Sequence, residues 1–162
     1  MADVENMHIE TERKFLVEND AYKKDAVKSY RIKQGYIAHD GGNTVRVRIR
    51  DNEGFLTIKG RTFNGMSRPE WEIKIPEADA QALLGLCHGG FIDKTRHIVP
   101  CGELAFEVDE FHGPNEGLTM AEIELPSSSE QFPRPQWLGE EVTGDRRFYN
   151  SYLSNYPYKT WK

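Results

Sequence analysis

Cysteine is scarce. Cys87 and Cys101 are the two present, in no C-x-x-C pair and near no histidine at zinc-ligand spacing. That excludes a thiolate metal centre by spacing and a disulfide-dense scaffold by count, leaving two reduced thiols in a cytoplasmic protein as the expectation. Long apolar runs are missing as well: none approaches the length of a membrane helix, and the acidic, polar start MADVENMHIE lacks the pattern of a secretory signal. Net positive charge is also absent. With 26 acidic and 21 basic side chains, a net charge of −5 does not favour a nucleic-acid partner, although it leaves room for a local basic cleft. The five histidines are scattered with no shared ligand spacing and are expected to be non-catalytic. The chain has no internal repeat and no low-complexity block, and its 162 residues suit one domain with a sizeable core.

Strand signals dominate what is present. Alternating runs predict strands near 7–17, 30–38, 44–51, 54–60, 68–75, 92–99, 102–110 and 118–125. Turn chemistry separates several of them: HDGGN at 39–43, DNEG at 51–54, NGMS at 64–67 and VPCGEL at 99–104. The stretch PSSSEQFPRP at 126–135 reads as a connecting loop. Three segments read as helical, at 19–29, 76–90 and 145–156. The second has Pro76 near its start and Gly89-Gly90 at its end, with Ala80, Leu83, Leu84 and Cys87 as its apolar stripe. In the third, Phe148, Tyr149, Tyr152, Leu153 and Tyr156 are expected to form a packing surface.

The strands share an unusual trait: like charges recur two residues apart. Glu10 with Glu12, Glu70 with Glu72, Glu107 with Asp109 and Glu122 with Glu124 put paired acids on one face. Arg46, Arg48 and Arg50 do the same for bases, as do Lys94 and Arg96. The opposite faces carry Val45, Val47, Ile49, Trp71, Ile73, Phe106, Val108 and Ile123. Any one such strand has an ordinary explanation, one face packed and the other wet. Clusters of a single sign instead imply partners of the other sign. Both signs occur in similar number, which suits a polyanion bound together with a divalent cation. About eight antiparallel strands can close into a barrel with the polar faces inside. The helices would then cover the apolar outside. Lipid is the other possible cover for such a barrel, but internal helices argue against it.

These residues resemble a known family. IETERKFLV at 9–17 is similar to the E-x-E-x-K signature of the CYTH, or triphosphate tunnel metalloenzyme, superfamily. The likeness continues in order through QGY (34–36), VRVR (45–48), LTIKG (56–60), SRPEWEIKI (67–75), KTRHIV (94–99), FEVDEF (106–111), GLTMAEIEL (117–125) and EVTGDRRFYN (141–150), nearly the whole chain. It implies an α+β, mainly β fold: a closed eight-stranded antiparallel barrel forming a tunnel, flanked by helices. It implies a metal-dependent triphosphatase, in its short bacterial form cleaving inorganic tripolyphosphate to pyrophosphate and phosphate. Class IV-type adenylate cyclases and thiamine or nucleoside triphosphatases remain alternatives, since fold and motifs do not fix the substrate. A non-catalytic polyphosphate-binding module would keep the bases and lose the acids.

By matching motif positions, the resemblance assigns Arg46, Arg48, Lys59, Lys94 and Arg96 to triphosphate binding, where the planar arginine fork suits phosphate oxygens. Arg50 continues that face, and Lys14 would reach the phosphate chain or the attacking water. Lys74 is expected to be a solvated lysine at a strand end. Glu10, Glu12, Glu122 and Glu124 would hold metal, Glu12 also acting in catalysis. Glu70, Glu72 and Asp109 would be further ligands or would position water. Glu107 could pair with a tunnel arginine. Tyr36 could donate to a phosphate or leaving group, or pack at the rim. The implied cofactor is Mg2+ or Mn2+, with two ions present together with substrate, one bridging phosphate oxygens and one activating water. The implied partner is a small-molecule triphosphate, with no nucleic acid and no membrane, and a homodimer is allowed. Trp71 is expected in the core, Trp137 in a loop and Trp161 at the end, so no nucleobase platform is evident.

Overall fold

Alternation at period two carries through the chain as sheet. The computed structural model describes residues 7–161. Nine strands form one antiparallel sheet: β1 (Met7–Val17), β2 (Lys28–Asp40), β3 (Asn43–Arg50), β4 (Glu53–Lys59), β5 (Ser67–Ile75), β6 (His88–Cys101), β7 (Leu104–Phe111), β8 (Thr119–Glu124) and β9 (Leu138–Glu141). Their order is β5-β4-β3-β2-β6-β7-β8-β1-β9, and a further β5–β1 pairing closes the first eight into a barrel. β1 achieves the closure by changing partners along its length. Its first half pairs with β5 (Met7↔Trp71 to Thr11↔Ser67), and its second half pairs with β8 (Glu12↔Glu124 to Leu16↔Met120). Where β5 leaves, β9 takes the vacated edge at Phe15 and Val17. This short ninth strand was not expected; four residues with two consecutive glutamates carry no alternation signal.

The register puts the charged faces inside. Tyr36 lies opposite Arg46, Gln34 opposite Arg48, Arg46 opposite Thr57, Thr57 opposite Glu72, and Arg96 opposite Asp109. The apolar faces point outward and are covered in patches. One cluster packs Phe15, Phe106, Val108, Ala121 and Ile123 beneath Tyr22, Trp137 and the loop residue Phe132. A second sets Val47 and Ile49 against Ala80 and Leu84 of helix α1 (Glu77–Leu84). Gly54 on β4 allows that docking, since a Cβ there would lie 2.8 Å from the Ala80 Cβ. Trp71 is half-buried on the outer face rather than central. Among the described residues no helix is long and apolar enough to cross a membrane.

The helices are shorter than expected. The segment 19–29 yields one 3-10 turn, Ala21–Lys24, because Val27 donates its amide to the Ile98 carbonyl and β2 starts at Lys28. So short a stretch cannot recover the cost of helix nucleation. The segment 76–90 ends at Leu84, and Gly89 and Gly90 belong instead to β6, which starts at His88 opposite Tyr36. Gly35, in QGY, permits the crossing behind it, as a Cβ there would sit 2.8 Å from the Cys87 Sγ. The segment 145–156 breaks into a 3-10 turn, Arg146–Phe148, and a single α-turn, α2 (Asn150–Leu153), with extended Tyr149 between them. The break has a tertiary cause, described next.

Candidate triphosphate-binding tunnel

Inward-facing side chains of seven strands and the C-terminal segment line a cavity inside the barrel. Lys14, Arg46, Arg48, Lys59, Lys94 and Arg96 supply the bases, with Glu12, Glu122 and Tyr36 beside them. Thr62, Gly65, Met66 and residues 143–144 and 149–151 also border it. Ile92, Phe111 and Met120 pack with Phe148 and Leu153 in a buried apolar cluster.

The bases are held in a chain of contacts. Arg96 grips Asp109 with two bonds, Nε to Oδ1 at 2.7 Å and Nη2 to Oδ2 at 2.9 Å, and also reaches Glu107. Lys94 donates to the same Asp109 at 2.8 Å and to the Asn150 Oδ1 at 3.0 Å. Arg48 donates to the Gln34 side chain at 2.8 Å, and Gln34 donates in turn to Asn150 at 3.3 Å. Arg46 donates to Thr57 at 3.2 Å, and Thr57 donates to Glu72 at 2.6 Å. The buried Arg46 Nε has no partner among the described residues, an unmet donor of the kind that a phosphate oxygen satisfies. Lys59 pairs with Glu10 at 2.7 Å. Lys14 donates to the Phe148 carbonyl at 3.1 Å and lies 3.5 Å from Glu122. These tertiary bonds to Phe148 and Asn150 explain the break at Tyr149: the extended residue lets its two neighbours face Lys14 and Lys94.

Electrostatics divide the acids into two kinds. Burial works to raise Glu122, but Lys14, Arg96 and Lys94 override it and hold its carboxyl far below the usual range. Glu10 is likewise held low by Lys59 against the effect of burial. Glu12 goes the other way. Burial and the neighbouring Glu122 and Glu10 carboxylates push it well above the carboxylate range, and it makes no ion pair among the described residues. Glu12 faces Glu124 directly across the β1–β8 ladder, and Glu122 faces Glu107 across β7–β8. Like charges directly opposite destabilise a sheet. Burial, reinforced by Glu10, Glu70 and Glu107, raises Glu124 as well. On the basic side, burial, aided by the neighbouring Arg96 and Arg48 charges and opposed by Asp109, brings Lys94 down to about 7. Burial next to Arg46 and Arg96 brings Arg48 down to about 9. Of the six bases, Arg48 is the one that makes no ion pair among the described residues; the other five each meet a carboxylate.

The donor set fits a hard divalent cation. Glu12 and Glu124 are carboxylates without ion pairs among the described residues, pressed against like charge, and carboxylate oxygen is the ligand that Mg2+ and Mn2+ prefer. No three acids converge into a ready chelate among the described residues. Mg2+ in phosphate sites takes one or two carboxylates and fills the remaining positions with water and phosphate oxygen, so such a chelate is not required.

The other expected residues lie around this centre. Glu70 contacts His8 at 3.0 Å, and Glu72 is tied to Thr57 and Arg46. Asp109 is fully engaged by two bases. Glu107 pairs with Arg96, as expected of a tunnel arginine's partner. Tyr36 lines the bore, its hydroxyl 3.4 Å from the Gln34 amide. Arg50 is not gathered with the rest. It is sandwiched between Tyr30 and Phe55 (4.7 and 4.8 Å to the ring centroids), near Glu53, towards the opposite end of the barrel. Lys74 is exposed there and also bound to Glu53. Three polar residues with no role assigned from sequence, Gln34, Thr57 and Asn150, prove to orient the bases. Gln34 and Asn150 lay within QGY and EVTGDRRFYN, so the signal was present, but nothing local to those stretches places their amides beside Arg48 and Lys94.

Comparison with known proteins agrees with this geometry. Residues 8–149 match the CYTH domain. An inorganic triphosphatase of Acetivibrio thermocellus is 47% identical over 154 residues, covering 94% of this chain and 97% of that protein. An inorganic triphosphatase of Nitrosomonas europaea is 35% identical over 150 residues, covering 90% of this chain and 96% of that one. A crystal structure of an inorganic triphosphatase superposes with a TM-score of 0.64 at 31% identity, covering 90% of this chain and 93% of the other. This chain belongs to the CYTH domain family.

Proposed function

We propose that this protein hydrolyses inorganic tripolyphosphate to pyrophosphate and phosphate inside the barrel, with Mg2+ or Mn2+ as cofactor and two ions present with substrate. One observation carries the reading: six bases converge on one bore that also holds the unpaired carboxylate of Glu12. A polyanion would satisfy the bases, and a cation would satisfy the acid.

Arg46, Arg48, Lys59, Lys94 and Arg96 bind and orient the phosphate chain, which phosphoryl transfer requires more than covalent help. Arg46 has an unmet Nε to offer, and Gln34 and Asn150 fix the direction of Arg48 and Lys94. Lys14, held over the Tyr149 ring at 5.2 Å and by the Phe148 carbonyl, is placed to contact the chain or the water that attacks it. Tyr36 offers a hydroxyl to a phosphate oxygen. Glu10, Glu12, Glu122 and Glu124 would hold the cation, with Glu70, Glu72 and Asp109 keeping neighbouring bases and waters in place. When bound, the cation neutralises phosphate charge and lowers the pKa of water.

The test measures phosphate, pyrophosphate and cyclic AMP released from tripolyphosphate, ATP and thiamine triphosphate, with each metal. Tripolyphosphate turnover dependent on metal is the expected result. Cyclic AMP from ATP would make the protein a cyclase, and tight tripolyphosphate binding without turnover of any substrate would make it a binding module.

A further inference from the structure

The stretch EVTGD at 141–145 leaves β9 opposite Phe15 and enters the cavity wall beside Lys14. The β5 pairing ends at Thr11, so the backbone of Lys14 needs other partners on that edge. The Val142 amide donates to the Lys14 carbonyl at 2.8 Å. The Lys14 amide donates to the Thr143 hydroxyl at 2.9 Å, where a ladder would offer a backbone carbonyl. That hydroxyl gives its own proton to the Glu141 carboxylate at 2.7 Å, with the Lys14 carbonyl further off at 3.4 Å. Arg13 grips Glu141 with two bonds, at 2.8 and 2.5 Å. Arg13 lies in turn against the rings of Phe15 and Phe132, 5.5 and 5.2 Å from their centroids. A relay of side chains therefore runs through the barrel wall, from Arg13 outside to the backbone of Lys14. Inside, the Phe148 carbonyl accepts from the Lys14 ammonium at 3.1 Å. One segment thus holds Lys14 at its amide, its carbonyl and its ammonium. A turn makes this possible: the Asp145 amide donates to the Val142 carbonyl at 3.0 Å, and Gly144 takes φ +80°, a left-handed value that suits glycine.

A backbone carbonyl would have completed this edge equally well for stability. A hydroxyl instead makes the placement of Lys14 depend on one side chain and, through Glu141, on an ion pair shielded from solvent, with side chains 19% and 33% exposed. We propose that Thr143 is a positioning residue for triphosphate binding: its hydroxyl, oriented by Glu141 and Arg13, sets how far Lys14 projects towards the phosphate chain. Thr143 lines the cavity, but its single proton is committed to Glu141, so it acts on substrate through Lys14 and not by donating to a phosphate. Glu122 lies 3.5 Å from the ammonium. Freed from Thr143, Lys14 would settle towards that carboxylate, and the phosphate chain would lose one of its cations. Displacements of about an ångström at such contacts are costly. The proposal rests on the bore being a triphosphate site with Lys14 among its ligands, and the test separates the two.

The test measures the affinity for tripolyphosphate by calorimetry without added metal, and turnover with metal. It compares the wild type, Thr143→Ser, Thr143→Val, Lys14→Met and the double variant of Thr143→Val with Lys14→Met. Thr143→Val keeps the shape and loses the hydroxyl, and it is expected to weaken tripolyphosphate binding about tenfold, with Thr143→Ser within about twofold of wild type. In the Lys14→Met background, Thr143→Val should change the affinity less than about twofold, because the group that it positions is gone. Serine as poor as valine, no loss with valine, or the same loss in both backgrounds would overturn the proposal. Should Thr143→Val fail to fold, Glu141→Ala goes through the same cycle: a loss that vanishes in the Lys14→Met background supports the proposal, and a loss that persists, or none, refutes it. If the wild type binds tripolyphosphate without turning it over, the hydrolase reading fails while the affinities still decide the positioning. If it does not bind tripolyphosphate, both fail.

Discussion

Glu12 lies directly across the β1–β8 ladder from Glu124, while Lys14, two residues on, lies across from Glu122. The first pair sets like charges opposite each other and the second sets opposite charges together, so the same substitution should act oppositely at the two sites. Glu12→Gln removes a buried carboxylate that Glu122 and Glu10 already press towards protonation, and it is expected to stabilise the empty protein by about 1 kcal/mol. Glu122→Gln removes the counter-charge of Lys14 and Arg96 and should destabilise it by about 2 kcal/mol or more. Both should reduce metal-dependent turnover at least about a hundredfold. Thermal unfolding of the metal-free proteins reads the sign. Because the folded Glu12 pKa is raised, the charged form is the costly one, so the gain from Glu12→Gln is largest in alkali and shrinks as acid protonates the native carboxyl.

Lys94 provides a pH test. Its folded pKa is about 7, lowered by burial beside Arg96 and Arg48, against about 10.4 in an unfolded chain. Between those values the unfolded chain holds a proton that the native one has released, so this group's contribution to stability rises with pH across that window and is flat below it. The stability of the wild type relative to Lys94→Met should therefore climb from about pH 7 to pH 10, as read by denaturant titration. A polyanion restores the ammonium, so tripolyphosphate binding above pH 7 should take up protons. Calorimetry in buffers of different ionisation enthalpy measures that uptake, and none at pH 8 would contradict the assignment of Lys94 to the phosphate chain.

Asn150 should matter out of proportion to its chemistry. Its carbonyl oxygen accepts from both Lys94 and Gln34. Asn150→Ala frees both, and the expected result is a KM for tripolyphosphate raised about tenfold with a stability loss near 1 kcal/mol. Asn150→Asp would instead place a competing carboxylate against Lys94, and binding should weaken more than in the alanine variant.

Gly54 tests how the barrel is covered. A methyl group there meets the Ala80 Cβ at 2.8 Å and the Ile75 carbonyl at 2.9 Å. Gly54→Ala should cost about 1–3 kcal/mol through displacement of α1, with phosphate binding in the bore unchanged. Unaltered thermal stability would mean that α1 does not hold that face closed.

The strand alternation and its two-residue charge spacing were enough to predict a barrel lined with both signs of charge, because in a pleated strand the side a residue faces follows from its position alone. The same parity placed Arg46, Arg48, Lys94, Arg96, Glu10, Glu12 and Glu122 inside. Arg50 has the right parity but stands too far along its strand, beside Tyr30 and Phe55, and parity has nothing to say about depth. The expected helix at 145–156 failed for a related reason. Local propensity favoured it, yet Phe148 and Asn150 form stronger bonds to Lys14 and Lys94, partners more than fifty residues away in sequence.

By itself, then, the sequence determined which faces are charged, which strands alternate and, through its motifs, the family. The tertiary structure alone decided which acids are neutralised and which are left free. Glu122 and Glu12 are equivalent glutamates on neighbouring strands. One sits among Lys14, Arg96 and Lys94, and the other is pressed against carboxylates. Electrostatic energy depends on distances across the barrel, and barrel closure, not the order of residues along any one strand, sets those distances.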